Sequence, residues 1–134
     1  MIVLSNSTEQ TLLVGQSVTF DLTKLKCGNA ECHRQGTSSV KLRCPGIYRV
    51  AFGGNIGGTV AGTPVQLAIA IGGDPLLETT MISTPAAVGD LNSVYRAALV
   101  KNCCCDYDRI TVVNTGTSDV VVGANAELVI AHCD

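Results

Sequence analysis

Seven cysteines and two histidines gather into a few short stretches: Cys27-x4-Cys32-His33, Cys44, Cys103-Cys104-Cys105 and His132-Cys133. Thiolate and imidazole are the ligands zinc prefers, and a closed tetrahedral site needs four of them converging. The spacings match no familiar zinc finger. Three consecutive cysteines on an extended segment point alternately to opposite faces, so at most two can face one ion. A Zn site built from Cys27, Cys32, His33, Cys103, Cys104 and Cys105 therefore requires loop 27–33 to fold against loop 103–105. Oxidation is the other chemistry open to these thiols. Loop-to-loop disulfides would each contribute about 2–4 kcal/mol, and an odd total leaves at least one thiol free or paired across copies. The loop cysteines read as disulfides ahead of zinc, with free thiols as the third option. Cys44 and Cys133, on apolar strands, read as small buried hydrophobes.

No catalytic constellation accompanies them. His33 stands beside Glu31 and Arg34 in a polar stretch and reads as a solvated surface side chain. His132 alternates with Leu128 and Ile130 and is expected inward, near an axis or a sheet edge. Neither has a nucleophile in its context, and no Gly-x-Ser-x-Gly elbow is present. The closely spaced histidine pair and carboxylate of the metal-binding cupins are missing. Asp106 and Asp108 flank Tyr107 in a turn, where Asp commonly bonds its own backbone. Glycoside hydrolysis needs two carboxylates about 5–10 Å apart, and no second candidate is visible. The glycines between Gly54 and Gly62 lack the Lys-Ser/Thr of a phosphate loop. A non-enzyme with no cofactor is the reading. A zinc-dependent binding module is the alternative, ahead of a cupin-like or carbohydrate-active enzyme.

The elements that would carry these residues are strands. At 134 residues the chain is one domain, 1–134, able to bury about two-thirds of its unfolded surface. Apolar residues make up 46 % but aromatics only 4 %, with no Trp, so the core must be aliphatic. Charged residues are 15 %, against about 25 % in ordinary soluble domains. That is too little charge to coat a monomer, which points to apolar surface hidden in an oligomer. A net charge of −2 and nine dispersed basic residues give no nucleic-acid footprint. The first residues lack a basic signal-peptide region, and no apolar run reaches membrane-span length. Synthesis in the cytoplasm followed by association with a particle or surface is the expectation.

Turn chemistry recurs at short intervals with alternation between, the signature of an all-β sandwich or barrel. Gln10 to Val14 alternates. Ser17 to Leu22 places Val18, Phe20 and Leu22 on one face, and residues 23–37 read as a long loop. Ser39 to Cys44 points Val40, Leu42 and Cys44 inward. Pro45-Gly46 then opens a strand over Ile47 to Asn55, with Tyr48, Val50 and Phe52 on one face. The glycines from Gly53 to Gly62 imply bulges or close strand approach. In Val65 to Ile71 the aliphatics share one face, leaving Gln66, Ala68 and Ala70 on a small, uncharged face that suits a tight neighbour. Further strands are expected at Leu76 to Ile82, Ser93 to Val100, Asp108 to Val113, Ser118 to Val122 and Ala126 to Cys133. Almost no helix is expected.

Five stretches give this order a family likeness: Ser17-Val18-Thr19-Phe20, Pro45-Gly46-Ile47-Tyr48-Arg49-Val50-Ala51-Phe52, Val65 to Gly73, Asp108 to Asn114 and Ala126 to Ile130. In order and spacing, across nearly the whole chain, they resemble the jelly roll of tumour necrosis factor and the complement globular heads. The C-terminal domains of collagen-like bacterial spore-surface proteins belong to the same group. The resemblance implies a two-sheet antiparallel jelly-roll sandwich, a homotrimer and a non-catalytic role. It also implies display on a virion, spore or cell surface, with a larger assembly, a glycan or a protein receptor as partner. The trimer interface is assigned to Tyr48, Gln66, Ala68, Ala70 and His132. The chain departs from the spore-surface pattern in lacking a Gly-X-Y stretch, and its seven cysteines are foreign to most members.

Overall fold

The computed structural model describes residues 1–102 and 108–133. In chain order the strands are β1 (Ile2–Ser5), β2 (Gln10–Leu12), β3 (Leu22–Lys26), β4 (Glu31–His33), β5 (Val40–Leu42) and β6 (Gly46–Gly58). β7 (Val65–Ile71), β8 (Asp74–Pro75), β9 (Met81–Ser83), β10 (Asn92–Asn102), β11 (Arg109–Asn114), β12 (Val120–Val122) and β13 (Glu127–Cys133) follow. One 3-10 turn, Leu77–Thr79, interrupts them. All pairings are antiparallel, and the strands form two sheets. In the first, β6 is the spine: β10 lies along one of its edges, β13 and β12 along the other, with β1 and β3 beyond β13 and β2 beyond β12. The second runs β4-β5-β11-β7-β8, with β9 also on β7.

The core lies between the sheets because alternation holds on the spine strands. Tyr48, Val50 and Phe52 on β6, Leu67 and Ile69 on β7, Ile110 and Val112 on β11 and Leu128 and Ile130 on β13 are all fully buried. As expected from composition, the filling is aliphatic, with Phe20 and Phe52 in edge-to-face contact at its centre.

Two expectations fail for a shared reason. Residues 23–37 are not a loop but carry β3 and β4. Leu22 does not follow Val18 and Phe20 inward; it is exposed. The chain changes sheets here. Phe20 bridges to Thr37, whereas Leu22 onward pairs with β1 in the other sheet. That crossing resets the alternation, and β3, exposed at every position, has no inward face to announce it. The expected strand from Leu76 to Ile82 also shrinks to β9. Upstream of it the buried Thr79 hydroxyl accepts from Ile69 N at 2.9 Å and donates to Leu76 O at 2.6 Å, standing in for strand pairing on β7.

The glycine-rich middle is a continuous stretch of β6. A side chain at Gly57 would meet the Asp90 carbonyl at 2.5 Å, so the 85–91 loop rests directly on bare backbone. At Gly72 and Gly73, φ values of 60° and 88° build the two-residue turn between β7 and β8, a left-handed geometry that glycine adopts without strain.

Candidate functional site

Among the described residues, the cysteines and histidines do not gather into one cluster. Cys27, Cys32, Cys44 and Cys133 are free thiols, and among the described residues no group of three or more His, Cys, Asp or Glu side chains could hold a metal. Cys103, Cys104 and Cys105, with Asp106 and Tyr107, lie outside the described residues. His33 is not a solvated surface side chain. Its ring packs edge-on against Phe20, with Nδ1 3.0 Å from Ser39 O and Nε2 3.0 Å from Phe20 O. Both nitrogens lie against carbonyl oxygens of the same chain, so neither is open to an ion. Glu31, beside Cys32, is buried and ion-paired to the Met1 ammonium at 2.6 Å.

Cys44 and Cys133 are not the buried hydrophobes expected. Cys44 is half-buried because β5 ends at Leu42, and Cys133 is exposed on the outward side of β13. Thiol reactivity needs access as well as thiolate. Alkylation of the native protein followed by peptide mapping is therefore expected to label Cys27 and Cys133 before Cys32 and Cys44. Equal labelling of all four would contradict the placement.

The residues assigned to a partner interface are mostly unavailable to one. Tyr48, Ala68 and Ala70 are 0 %, 1 % and 1 % exposed within a single chain: Tyr48 lies in the core, and the two alanines are recessed on the outward side of β7, so a partner would reach little of them. Tyr48 belongs to the core because β6 points it inward with Val50 and Phe52. Gln66 is half-buried, and its amide donates to Thr115 Oγ1 at 2.9 Å. His132 is half-buried, its ring 4.6 Å from that of Tyr48 and its Nε2 3.1 Å from Pro45 O.

Tyr48 instead closes one end of the sandwich. Its hydroxyl donates to Cys44 O at 2.7 Å and accepts from Cys44 N at 3.2 Å. Burial pushes the phenol above its ordinary value, outweighing the opposing pull of the Cys44 backbone. A group whose value is raised by folding stabilises the fold fully below its unfolded value, near 10, and that contribution disappears as pH climbs through the folded value. In an alkaline titration followed by phenolate absorbance, Tyr48→Phe is expected to remove a step lying above about pH 10. A missing step at or below that pH would contradict the burial.

The open surface lies on the outward side of the first sheet, and the register assembles it in rows. Leu99, Arg49 and Ala131 stand side by side across β10, β6 and β13. Ala97, Ala51 and Val129 form the next row, and Tyr95, Gly53 and Glu127 the one after. Leu99 is 68 % exposed and Tyr95 60 %. Arg49 Nη2 donates to the Tyr95 hydroxyl at 3.4 Å, and Lys24 pairs with Glu127 at 3.3 Å. A hollow of about 390 Å³ lies between Arg49, Tyr95, Glu127 and Val129. Sequence reasoning recognised the strand but not its face. The available signal was the alternation of Tyr95, Ala97 and Leu99 with Arg96, which marks an apolar side without saying whether core or solvent meets it.

No protein-family model matches the chain, and no curated protein matches it. Solved structures do. The globular domain of zebrafish complement 1qA protein superposes with a TM-score of 0.73 at 11 % identity, covering 99 % of this chain and 96 % of that one. Eiger TNF from S. frugiperda gives 0.70 at 12 % identity, with 99 % and 91 % covered. PRD1 vertex protein P5 gives 0.56 at 13 %, with 99 % and 94 % covered. The fold is the two-sheet jelly roll shared by the complement globular heads and tumour necrosis factor.

Proposed function

We propose that the chain is a non-catalytic structural module that self-associates as a homotrimer and is displayed on a particle or cell surface. The observation carrying this reading is the uncovered apolar face of β10, β6 and β13. Tyr95 and Leu99 stand exposed on an edge strand of eleven residues, and a long exposed apolar edge invites pairing unless something covers it. Arg49, Lys101 and Glu127 are the charges among the outward residues of β10, β6 and β13. Few charges and a central aromatic are what a contact between copies uses.

Packing this face against a different patch of the next copy makes a head-to-tail contact, which closes as a ring when the rotation between copies is that of a closed symmetry. The number three comes from the resemblance to tumour necrosis factor and the complement heads. The kinship in fold with a protein named a vertex protein supports display on a particle. Multi-angle light scattering at micromolar concentration tests the reading: three chain masses are expected, and a monomer would overturn it.

A further inference from the structure

The outward side of the second sheet, opposite the self-association face, carries a groove of about 430 Å³. It lies along β11 where the Ser17–Val18 segment and β7 flank it. Its shape follows from residue size. Ile110 and Val112 point into the core, so Arg109 and Thr111 point out. Across the strands their neighbours are Ala70, the small face of β7, and the glycine turn after it. With no bulk on that side, a trough remains.

The lining mixes polar side chains with the apolar surface of Ala70 and Val113. Ser17, Ser39 and Thr111 bring hydroxyls, Asp108 a carboxylate and Arg109 a guanidinium, over a floor that includes Ala70. Arg109 Nη1 donates to Ser39 Oγ at 3.4 Å, which aims the side chain along the trough.

We propose that this groove binds a saccharide through neighbouring hydroxyl groups. Each sugar hydroxyl both donates and accepts. Asp108 only accepts, Arg109 only donates, and the three lining hydroxyls do either. That mixed set suits a neutral polyol. A bare anion would meet the Asp108 carboxylate, and an apolar ligand would strand the polar side chains without partners. The volume lies within the range of small-ligand clefts, about 300–1,000 Å³, and the polar groups sit on or next to paired strands, which hold them in place. The biological sense of the site rests on the display reading, with the groove on the sheet opposite the proposed contact face. The groove itself is complete within one chain.

Titration of isotope-labelled protein with the methyl glycosides of galactose, mannose, fucose and N-acetylglucosamine, followed by amide chemical shifts, tests the site. At least one glycoside is expected to give saturable shifts centred on Ser39, Arg109 and Thr111. Arg109→Ala and Asp108→Asn should each weaken it about tenfold or more, because each removes a charge-assisted hydrogen bond. Both positions lack a core role, so oligomer mass and melting temperature should not change. Silence with all four sugars overturns the proposal, as do shifts mapping to another face or wild-type affinity in both variants. Saturable shifts at these amides with sodium sulfate but with no glycoside would mark an anion site and also overturn it. If the protein proves monomeric but the sugar still binds, the display reading fails and the groove stands. An intact trimer without sugar binding is the reverse.

Discussion

Replacing Leu99 with Glu is expected to leave the jelly roll folded while reducing its mass in solution to that of one chain. Leu99 is 68 % exposed on β10, so in the isolated protomer a polar side chain there should change stability by no more than about 0.5 kcal/mol. Arg49, directly opposite on β6, offers the new carboxylate a partner. In the assembly the same carboxylate would be taken out of water against a copy's apolar surface, a penalty of several kcal/mol. That corresponds to more than about a thousandfold in the association constant. Tyr95→Ala should weaken association less, because it removes contact area without burying a charge. The control is Ala68→Glu. Ala68 is 1 % exposed, so Glu there should lower the melting temperature of the protomer itself. A Leu99→Glu protein of unchanged mass would show that this face is not the contact.

This contrast shows what the sequence carried and what it did not. The spine was legible because Tyr48, Val50 and Phe52 have the same alternation in one dimension as in three. The interface was not. A small uncharged face such as Gln66, Ala68 and Ala70 looks the same in sequence whether a neighbouring chain or its own flanking elements cover it. Periodicity assigns residues to two sides of a strand, and only the stacking of sheets decides which side is dry. β3 was hidden for a related reason: Leu22, Thr23, Lys24, Leu25 and Lys26 are all exposed, so no burial pattern marks a strand held by backbone pairing. The saccharide groove was invisible because Ser17, Ser39, Thr111 and Arg109 come from three separated segments, and none is unusual alone.

A loss of stability as large as that from truncating a core side chain is expected at Asn6, a residue that no motif singles out. It follows β1 and is 2 % exposed. Its Nδ2 donates to Thr8 O at 3.0 Å and to Gly123 O at 3.1 Å, while its Oδ1 accepts from Ala126 N at 2.8 Å. Its own carbonyl accepts from Asn125 N, a residue held in the left-handed region at φ 66°. The side chain therefore joins the exit of the first strand to the turn that launches the last. Asn6→Ala would leave two carbonyls and one amide short of partners where water has little access. Each such group costs about 1–3 kcal/mol, and partial relaxation should bring the total to about 3–5 kcal/mol. Domains of this size are stable by about 5–15 kcal/mol in all. The loss is best read by chemical denaturation in the Leu99→Glu background, where association cannot add concentration-dependent stability. Asn6→Asp should not rescue it, because the acid supplies an acceptor for Ala126 N but no donors for Thr8 O and Gly123 O. A loss below about 1 kcal/mol in Asn6→Ala would mean that the terminal strands are held by backbone pairing alone.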